Sequence, residues 1–181
     1  RLGLPTTATM MYGYLEEPRH VAAHLLRLRN LQEETGGFTE FVPLSFVHAL
    51  TPAWLGTRVE GLRPGATGTE VVAVHALARV VLGRTFRNLQ ASWVKEGPRL
   101  AQVLLDAGAN DLGGTLLDES ISTAAGSGHG QFLPPSELIR LIRDAGRIPA
   151  RRDTLYRIQA EGPDDSGLDH FAGRRRPDAT D

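Results

Sequence analysis

The sequence contains no cysteine, and this absence excludes several classes of site. Without a thiol, the chain by itself cannot form a disulfide, a cysteine nucleophile, or the ligand set of an iron–sulfur or cysteine–zinc centre. Long apolar runs are missing too: the uncharged stretch of residues 3–15, for example, contains Pro5 and Gly13 and is a poor membrane span. The chain begins with Arg1 and shows no secretory leader. We therefore expect a cytoplasmic protein that does not contact a membrane.

Neither sign of charge dominates, since 20 Lys and Arg residues face 21 Asp and Glu residues, for a formal net charge of −1. With 41% hydrophobic residues, this composition indicates a globular core and excludes wholesale disorder or a strongly cationic nucleic-acid binder. The length of 181 residues favours one domain. We predict that this domain spans residues 1–158 and that residues 159–181, rich in Gly, Pro, Asp and Arg, form a disordered tail.

Strand-like and helix-like segments alternate four times along the first 146 residues. The predicted strands are Thr6–Tyr12, Phe38–Val42 (ended by Pro43), Phe86–Trp93 and Asp111–Gly113, and the predicted helices begin near Pro18, Thr67, Pro98 and Pro135. Such alternation predicts parallel strands joined by helical crossovers, and hence an α/β fold. A doubly wound sheet and part of a (β/α) barrel both fit. Four units are half of the eight that a closed barrel needs, so a barrel would lack its N-terminal half.

Polar side chains recur near the predicted carboxyl ends of these strands, where α/β folds bind ligands. The candidates are Thr9, Glu16, Glu40, Gln90, Ser92, Lys95, Asn110, Asp111, Asp118, Glu119 and His129. Their amides, hydroxyls, carboxylates, ammonium and imidazole would bind a small polar molecule through several hydrogen bonds. Any one of them could instead pair with a neighbour, but their recurrence on every strand favours a site.

Other patterns carry less information. His20 and His24 stand one helical turn apart, but without further ligands a solvated helix face is the simpler interpretation. The Arg-rich residues 147–157 indicate solvated surface rather than a phosphate site. A hydrolase with paired carboxylates, using Glu40 with Asp111 or Glu119, stays open on residue types alone.

Four sequence blocks, taken together and in order, resemble a known enzyme family. They are Gly3–Gly13, Thr35–Leu44, Gln90–Lys95 and Gly108–Glu119. The blocks resemble the C-terminal part of FO synthases, the radical S-adenosylmethionine enzymes that make the deazaflavin chromophore, and most closely their tyrosine-using 4-hydroxyphenyl transferase half. The resemblance covers residues 3–156. Two menaquinone-pathway enzymes, aminofutalosine synthase and dehypoxanthine futalosine cyclase, share parts of these blocks, but residues 92–95 and 112–116 favour FO synthase.

The resemblance implies the C-terminal half of a radical S-adenosylmethionine (β/α) TIM-type barrel. In that family the N-terminal half carries a CxxxCxxC loop with a 4Fe-4S cluster, and a deoxyadenosyl radical made from S-adenosylmethionine attacks L-tyrosine. A fragment of tyrosine is then joined to 5-amino-6-(D-ribitylamino)uracil, and a partner enzyme or fused domain closes the ring. By the same resemblance the candidate residues would line the barrel mouth and bind S-adenosylmethionine, tyrosine or the uracil. Because the three cysteines are absent, we expect the isolated chain to be inactive.

Two residues depart from the family pattern. Tyr14 stands where the family usually has His, and Glu96 stands where an apolar residue is common; we expect the second to be a harmless surface change. A third hypothesis, from another functional class, is a binding module or remnant that keeps the pocket without radical chemistry.

Overall fold

The computed structural model describes residues 3–56, 59–116 and 120–162. Within these ranges the strands are β1 (Thr6–Tyr12), β2 (Phe38–Ser45), β3 (Asn88–Leu89), β4 (Ala150–Arg152) and β5 (Ile158–Glu161). The helices are α1 (Pro18–Thr35), α2 (Pro52–Leu55), α3 (Gly68–Leu82), α4 (Trp93–Glu96), α5 (Pro98–Leu104), α6 (Ser120–Ala124) and α7 (Pro135–Asp144). β1, β2 and β3 form a parallel sheet in that order, which confirms the predicted α/β class.

The helix boundaries follow local capping signals. α1 begins at Pro18, whose fixed φ suits a first helical turn, and ends before Gly36, which has φ 61°. α3 begins with a capping box, in which Thr67 Oγ1 accepts from the Glu70 N–H and Glu70 Oε2 accepts from the Thr67 N–H. These pairs satisfy backbone donors that the first turn leaves open, so the predicted starts of both helices are confirmed.

One face of the sheet carries the hydrophobic core. Alternate β1 residues Ala8, Met10 and Tyr12 are buried and pack with apolar side chains of α1, α3 and α5. The intervening residues of β1, Thr7 and Thr9 among them, are exposed on the opposite face. Because side chains alternate across a strand, the helices cover one side of the sheet and leave the other available to polar groups.

The predicted end of the second strand at Val42 is wrong, because β2 continues through Pro43 to Ser45. Phe41 O accepts from the Gln90 N–H, whereas the Phe46 N–H donates to Tyr12 O, so odd-numbered β2 residues face β3 and even-numbered residues face β1. The backbone nitrogen of Pro43 therefore faces the β3 side, not β1. It lies past Phe41, the last β2 residue that pairs with β3. The proline interrupts no ladder bond and the strand is not ended there.

The third and fourth predicted strands are much shorter than expected. In place of the third predicted strand the structure has the short strand β3, followed by an isolated bridge between Gln90 and Asp111. Trp93 already belongs to α4, because Ser92 O accepts hydrogen bonds from the Lys95 and Glu96 N–H groups. The fourth is only that bridge. Gly113 has φ 75°, which takes the chain out of the extended conformation two residues after Asp111.

An antiparallel hairpin of β4 and β5 follows α7 and was not predicted. Its turn is fixed by Asp153, whose Oδ1 accepts from the N–H groups of Leu155 and Arg157. The predicted tail boundary at residue 159 is wrong, since residues 159–161 lie within β5. The rest of the predicted tail, residues 163–181, lies outside the described residues.

Candidate functional site

A buried ionic cluster joins the hairpin to the open face of the sheet. The Arg152 guanidinium makes a two-pronged contact with Asp111, with Nε near Oδ2 and Nη2 3.0 Å from Oδ1. Arg152 Nη2 also lies 3.8 Å from Glu40 Oε1, and the Tyr156 hydroxyl donates to Glu40 Oε2 at 2.8 Å. The guanidinium carbon lies 4.3 Å from the centre of the Tyr156 ring. One arginine thus lies beside two carboxylates and packs on the aromatic ring that reaches one of them.

The electrostatics of this cluster centre on Glu40, which is only 3% exposed. Burial, followed by the negative charge of Asp111, raises the pKa of Glu40 from 4.5 to about 7, while Tyr156 and Arg152 act in the opposite direction. Glu40 Oε1 has no hydrogen-bond partner. The carboxyl is therefore poised between its two protonation states near neutral pH.

The cluster lies near the amino ends of the strands. Glu40 is aligned with Thr7 of β1 and Asn88 of β3, five residues before Ser45 ends β2. At about 3.3 Å per residue, Glu40 is about 16 Å from the carboxyl end of its strand. The structure therefore does not bring Glu40 to the predicted site at that end, because β2 runs on through Pro43.

A polar cleft lies at the opposite, carboxyl end of the sheet. Its volume is about 290 Å³, and it is bounded by residues 45–48 after β2, residues 64–66, the end of α4 and residues 126–129. Lys95 and His129, both predicted as site residues, lie in its wall. The structure thus brings these two together, although 34 positions separate them along the chain.

A glycine leaves room for the imidazole in this cleft. Gly97 has φ 80°, and a Cβ at this position would lie 2.9 Å from the His129 ring, so the ring sits directly on the Gly97 backbone. The loop that carries the imidazole is held to α4 by Ser127, whose Oγ donates to Val94 O at 2.7 Å. A side chain at position 97 would displace His129, which explains why glycine is required there.

Glu96 is not the surface residue that the sequence predicted. It lines the cleft, its Oε1 is enclosed without a hydrogen-bond partner, and burial raises its pKa despite contacts from the Ser45 hydroxyl and backbone N–H. The hydroxyl of Tyr12 is also buried without a partner, and burial, then the charge of Glu96, raises the pKa of that phenol. Folding α4 directly after β3 places this carboxyl beneath the cleft.

Two further candidates serve the backbone of their own region. Glu16 accepts from the N–H groups of Gly13 and Tyr14; burial alone would raise its pKa, but these bonds outweigh it and lower the pKa. Asn110 Oδ1 accepts from the Leu89 N–H at 2.9 Å and from an arginine of α3. Both residues stabilise the turns that bound the sheet, and a ligand role for them stays a prediction.

The remaining candidates are scattered. The Gln90 amide packs against Gly113, where a Cβ would lie 2.7 Å from Nε2. Ser92 is buried at the start of α4, and Thr9 is exposed on the open face of the sheet. Glu119, like Asp118, lies outside the described residues.

Sequence reasoning missed Arg152 and Tyr156, because their region was interpreted as solvated surface. One sequence signal for the hairpin was present. Asp153 is a residue type that favours tight turns, and it lies between two short segments that could be extended. It also missed Glu96, whose burial depends on how α4 follows β3.

The described residues contain no group of three or more His, Asp or Glu side chains suited to a metal ion. Across the same part of the chain, no helix is both long and apolar enough to cross a membrane. His20 Nδ1 accepts instead from the Glu17 N–H at the start of α1.

Comparison with protein families gives one match, described as the CofH/MqnC C-terminal region, over residues 35–164. The match covers both the cleft and the ionic cluster. The chain belongs to this family. The matched residues begin at Thr35, the last residue of α1, and extend beyond β5.

Curated relatives give the same assignment with named activities. A 5-amino-6-(D-ribitylamino)uracil–L-tyrosine 4-hydroxyphenyl transferase of Methanopyrus kandleri is 56% identical over 155 residues, which are 86% of this chain and 41% of that protein. Proteins of the same name from Methanothermobacter thermautotrophicus and Methanocaldococcus jannaschii are 54% and 49% identical over 158 residues. The chain spans about two-fifths of the length of these relatives.

Proposed function

We propose that this chain is the C-terminal part of a radical S-adenosylmethionine transferase that joins a fragment of L-tyrosine to 5-amino-6-(D-ribitylamino)uracil. The observation that carries the proposal is the identity of 56% to the Methanopyrus kandleri transferase over 86% of the chain. Identity at this level over most of the chain supports a shared reaction.

The fold supports a place within a larger (β/α) barrel. β1 is an edge strand within the described residues, and the face that carries Thr7 and Thr9 is exposed. Parallel strands are normally covered on both faces and paired at both edges. Further strand–helix units at the β1 edge would close the sheet and enclose that face, as in a TIM-type barrel.

The chain does not fit a cluster-binding role. A 4Fe-4S cluster is held by cysteine thiolates, and this sequence has none. We therefore assign the cluster ligands to another part of the full-length enzyme and assign no cluster chemistry to these residues. S-adenosylmethionine would be shared between that part and this one, and a separate ring-closing enzyme or domain would act on the product.

The carboxyl-end cleft would bind substrate. Lys95 supplies a cation, His129 an imidazole on a fixed support, and Glu96 a carboxyl below them. Groups fixed in this way hold a substrate in one orientation, which is how a protein assists chemistry performed by a cofactor. The ionic cluster at the amino end would close the other end of the sheet.

A chimera tests the proposal. The segment of the Methanopyrus kandleri transferase that matches this chain would be replaced by residues 3–162. The reconstituted enzyme would be supplied with L-tyrosine, 5-amino-6-(D-ribitylamino)uracil, S-adenosylmethionine and a one-electron reductant for the cluster. We expect the coupled product in mass spectra. A folded chimera with an intact cluster that forms no product would refute the proposal.

The family description also includes MqnC, which favours a menaquinone-pathway enzyme as the second candidate. Turnover of a futalosine-type substrate by the chimera, in place of tyrosine coupling, would identify that alternative. Turnover of neither would favour a binding module.

A further inference from the structure

We propose that the cleft formed by residues 45–48, 64–66, 95–96 and 126–129 binds the zwitterionic head of an α-amino acid. In this arrangement Lys95 and His129 bind its carboxylate and Glu96 binds its ammonium group. The inference rests on the proposed function in taking L-tyrosine as the first ligand to test. It goes further in naming which part of the substrate this cleft recognises.

The first observation is a pair of opposite charges at one wall of the cleft. Lys95 and Glu96 are consecutive residues of α4, and both line it. The Lys95 ammonium forms no ion pair within the described residues, and Glu96 Oε1 has no hydrogen-bond partner. A buried polar atom without a partner is costly unless a ligand satisfies it.

The second observation is the exposed imidazole of His129 at the cleft. His129 packs on Gly97, its loop is tied to α4 through Ser127, and its ring lines the same cleft as Lys95. An ammonium and an imidazole N–H donate to the same carboxylate in many proteins, and such charge-assisted bonds are short and strong. The cleft therefore presents a cationic side and an acidic floor.

The chemistry of the substrates named by the relatives separates the candidates. L-Tyrosine carries one carboxylate and one ammonium group, which match both sides of the cleft. An aminouracil with a ribityl chain carries neither group, and it would leave the Lys95 and Glu96 charges unmatched. The volume of about 290 Å³ also suits one small ligand.

A ligand ammonium group would compensate for the burial of the Glu96 carboxyl. Burial raises its pKa, and Tyr12, Ser45 and Lys95 are the polar groups that face its carboxyl. A ligand ammonium next to Oε1 would add to the positive charge of Lys95 and would lower the pKa of Glu96. S-Adenosylmethionine also carries an α-amino acid head group. The recognised head group therefore has two sources, L-tyrosine and S-adenosylmethionine.

Lys95 makes a sharp test available because it is the only lysine in the sequence. Reductive methylation of the full chain with ¹³C-formaldehyde labels Lys95 and the terminal amine alone, and the dimethylated amine keeps its positive charge. The Lys95 signal would be followed by NMR during titration with L-tyrosine, tyramine, 3-(4-hydroxyphenyl)propionate or S-adenosylmethionine. Tyramine lacks the carboxylate and the propionate lacks the ammonium group.

We expect L-tyrosine to shift the Lys95 signal in a saturating manner and both truncated analogues to bind about tenfold more weakly or worse. Glu96→Gln should weaken binding of the amino acid by a similar factor, whereas Glu137→Gln, at a half-buried carboxylate on α7 that pairs with Arg140, should not. A response to S-adenosylmethionine but not to L-tyrosine would support binding of an α-amino acid head group in this cleft and would identify S-adenosylmethionine as the ligand.

The inference is overturned if neither amino acid shifts the Lys95 signal, if tyramine or the propionate shifts it equally, or if Glu96→Gln has no effect. The ligand analogues need no variant, so the test survives a variant that fails to fold. A productive chimera with a silent Lys95 signal would refute this inference alone. A responsive Lys95 with an inactive chimera would refute only the proposed function.

Discussion

Replacing Glu40 by Gln should stabilise the protein at high pH and lose that advantage at low pH. The side chain is 3% exposed, and burial with the nearby Asp111 raises its pKa from 4.5 to about 7. Glutamine keeps the acceptor for the Tyr156 hydroxyl, 2.8 Å away, without a charge that can ionise. The substitution therefore isolates the cost of ionising this one buried carboxyl.

The sign follows from proton binding. Between the unfolded pKa of 4.5 and the folded pKa of about 7, the native state binds more protons than the unfolded state, so stability falls as pH rises. At 1.36 kcal/mol per pKa unit, the free energy of unfolding of the wild type should decrease by about 2.5 kcal/mol relative to Glu40→Gln between about pH 5 and pH 8.

Urea unfolding at a series of pH values, followed by the fluorescence of the buried Trp93, measures this difference. Glu137→Gln is the matched control, because the hydrogen bond from Arg140 lowers the pKa of Glu137 and its replacement should bring no gain at high pH. A stability difference between wild type and Glu40→Gln that does not change with pH would refute the reasoning.

Three other changes test other parts of the structure. Arg152→Met leaves two buried carboxylates without their cation and should lower the free energy of unfolding by about 3 kcal/mol. The control Arg151→Met, at an exposed position, should lower it by less than about 0.5 kcal/mol. Equal losses in urea unfolding would contradict a stabilising role for the ionic cluster. Gly97→Ala, at φ 80° and 2.9 Å from an imidazole, should cost about 1–3 kcal/mol and shift the NMR signals of His129, so an unchanged spectrum would be evidence against that contact. Asn110→Ala removes the acceptor of a buried backbone N–H and should cost about 1–3 kcal/mol in thermal or urea unfolding, and a neutral result would show that water takes its place.

Elements set by local chemistry could be predicted from the sequence. The bounds of β1 and the starts of α1 and α3 depend on a proline, a glycine with positive φ and a capping box, all of which lie within a few residues of the element. The failure at Pro43 shows the limit. Whether that proline ends β2 depends on which neighbour its backbone faces, and this is a property of the assembled sheet.

The candidate site was predicted in part for a similar reason. Residue type placed Lys95 and His129 among the candidates, and the fold brings both to one cleft. The pairing of Arg152 with Asp111 spans 41 residues, and no local pattern signals it. The enclosure of Glu96 Oε1 likewise depends on contacts with Ser45, which is distant in the chain.

The two ends of the sheet have different roles in this account, and the activity of the chimera measures that difference directly. Lys95→Met and Tyr156→Phe would each be introduced into it, and the rate of tyrosine coupling determined with saturating uracil. We predict a loss of about tenfold or more for Lys95→Met, since a hydrogen bond to a charged group contributes about 1.5–3 kcal/mol, and a change within about twofold for Tyr156→Phe. Full activity with methionine at position 95, or loss of activity in a well-folded Tyr156→Phe enzyme, would contradict the assignment of ligand binding to the carboxyl end.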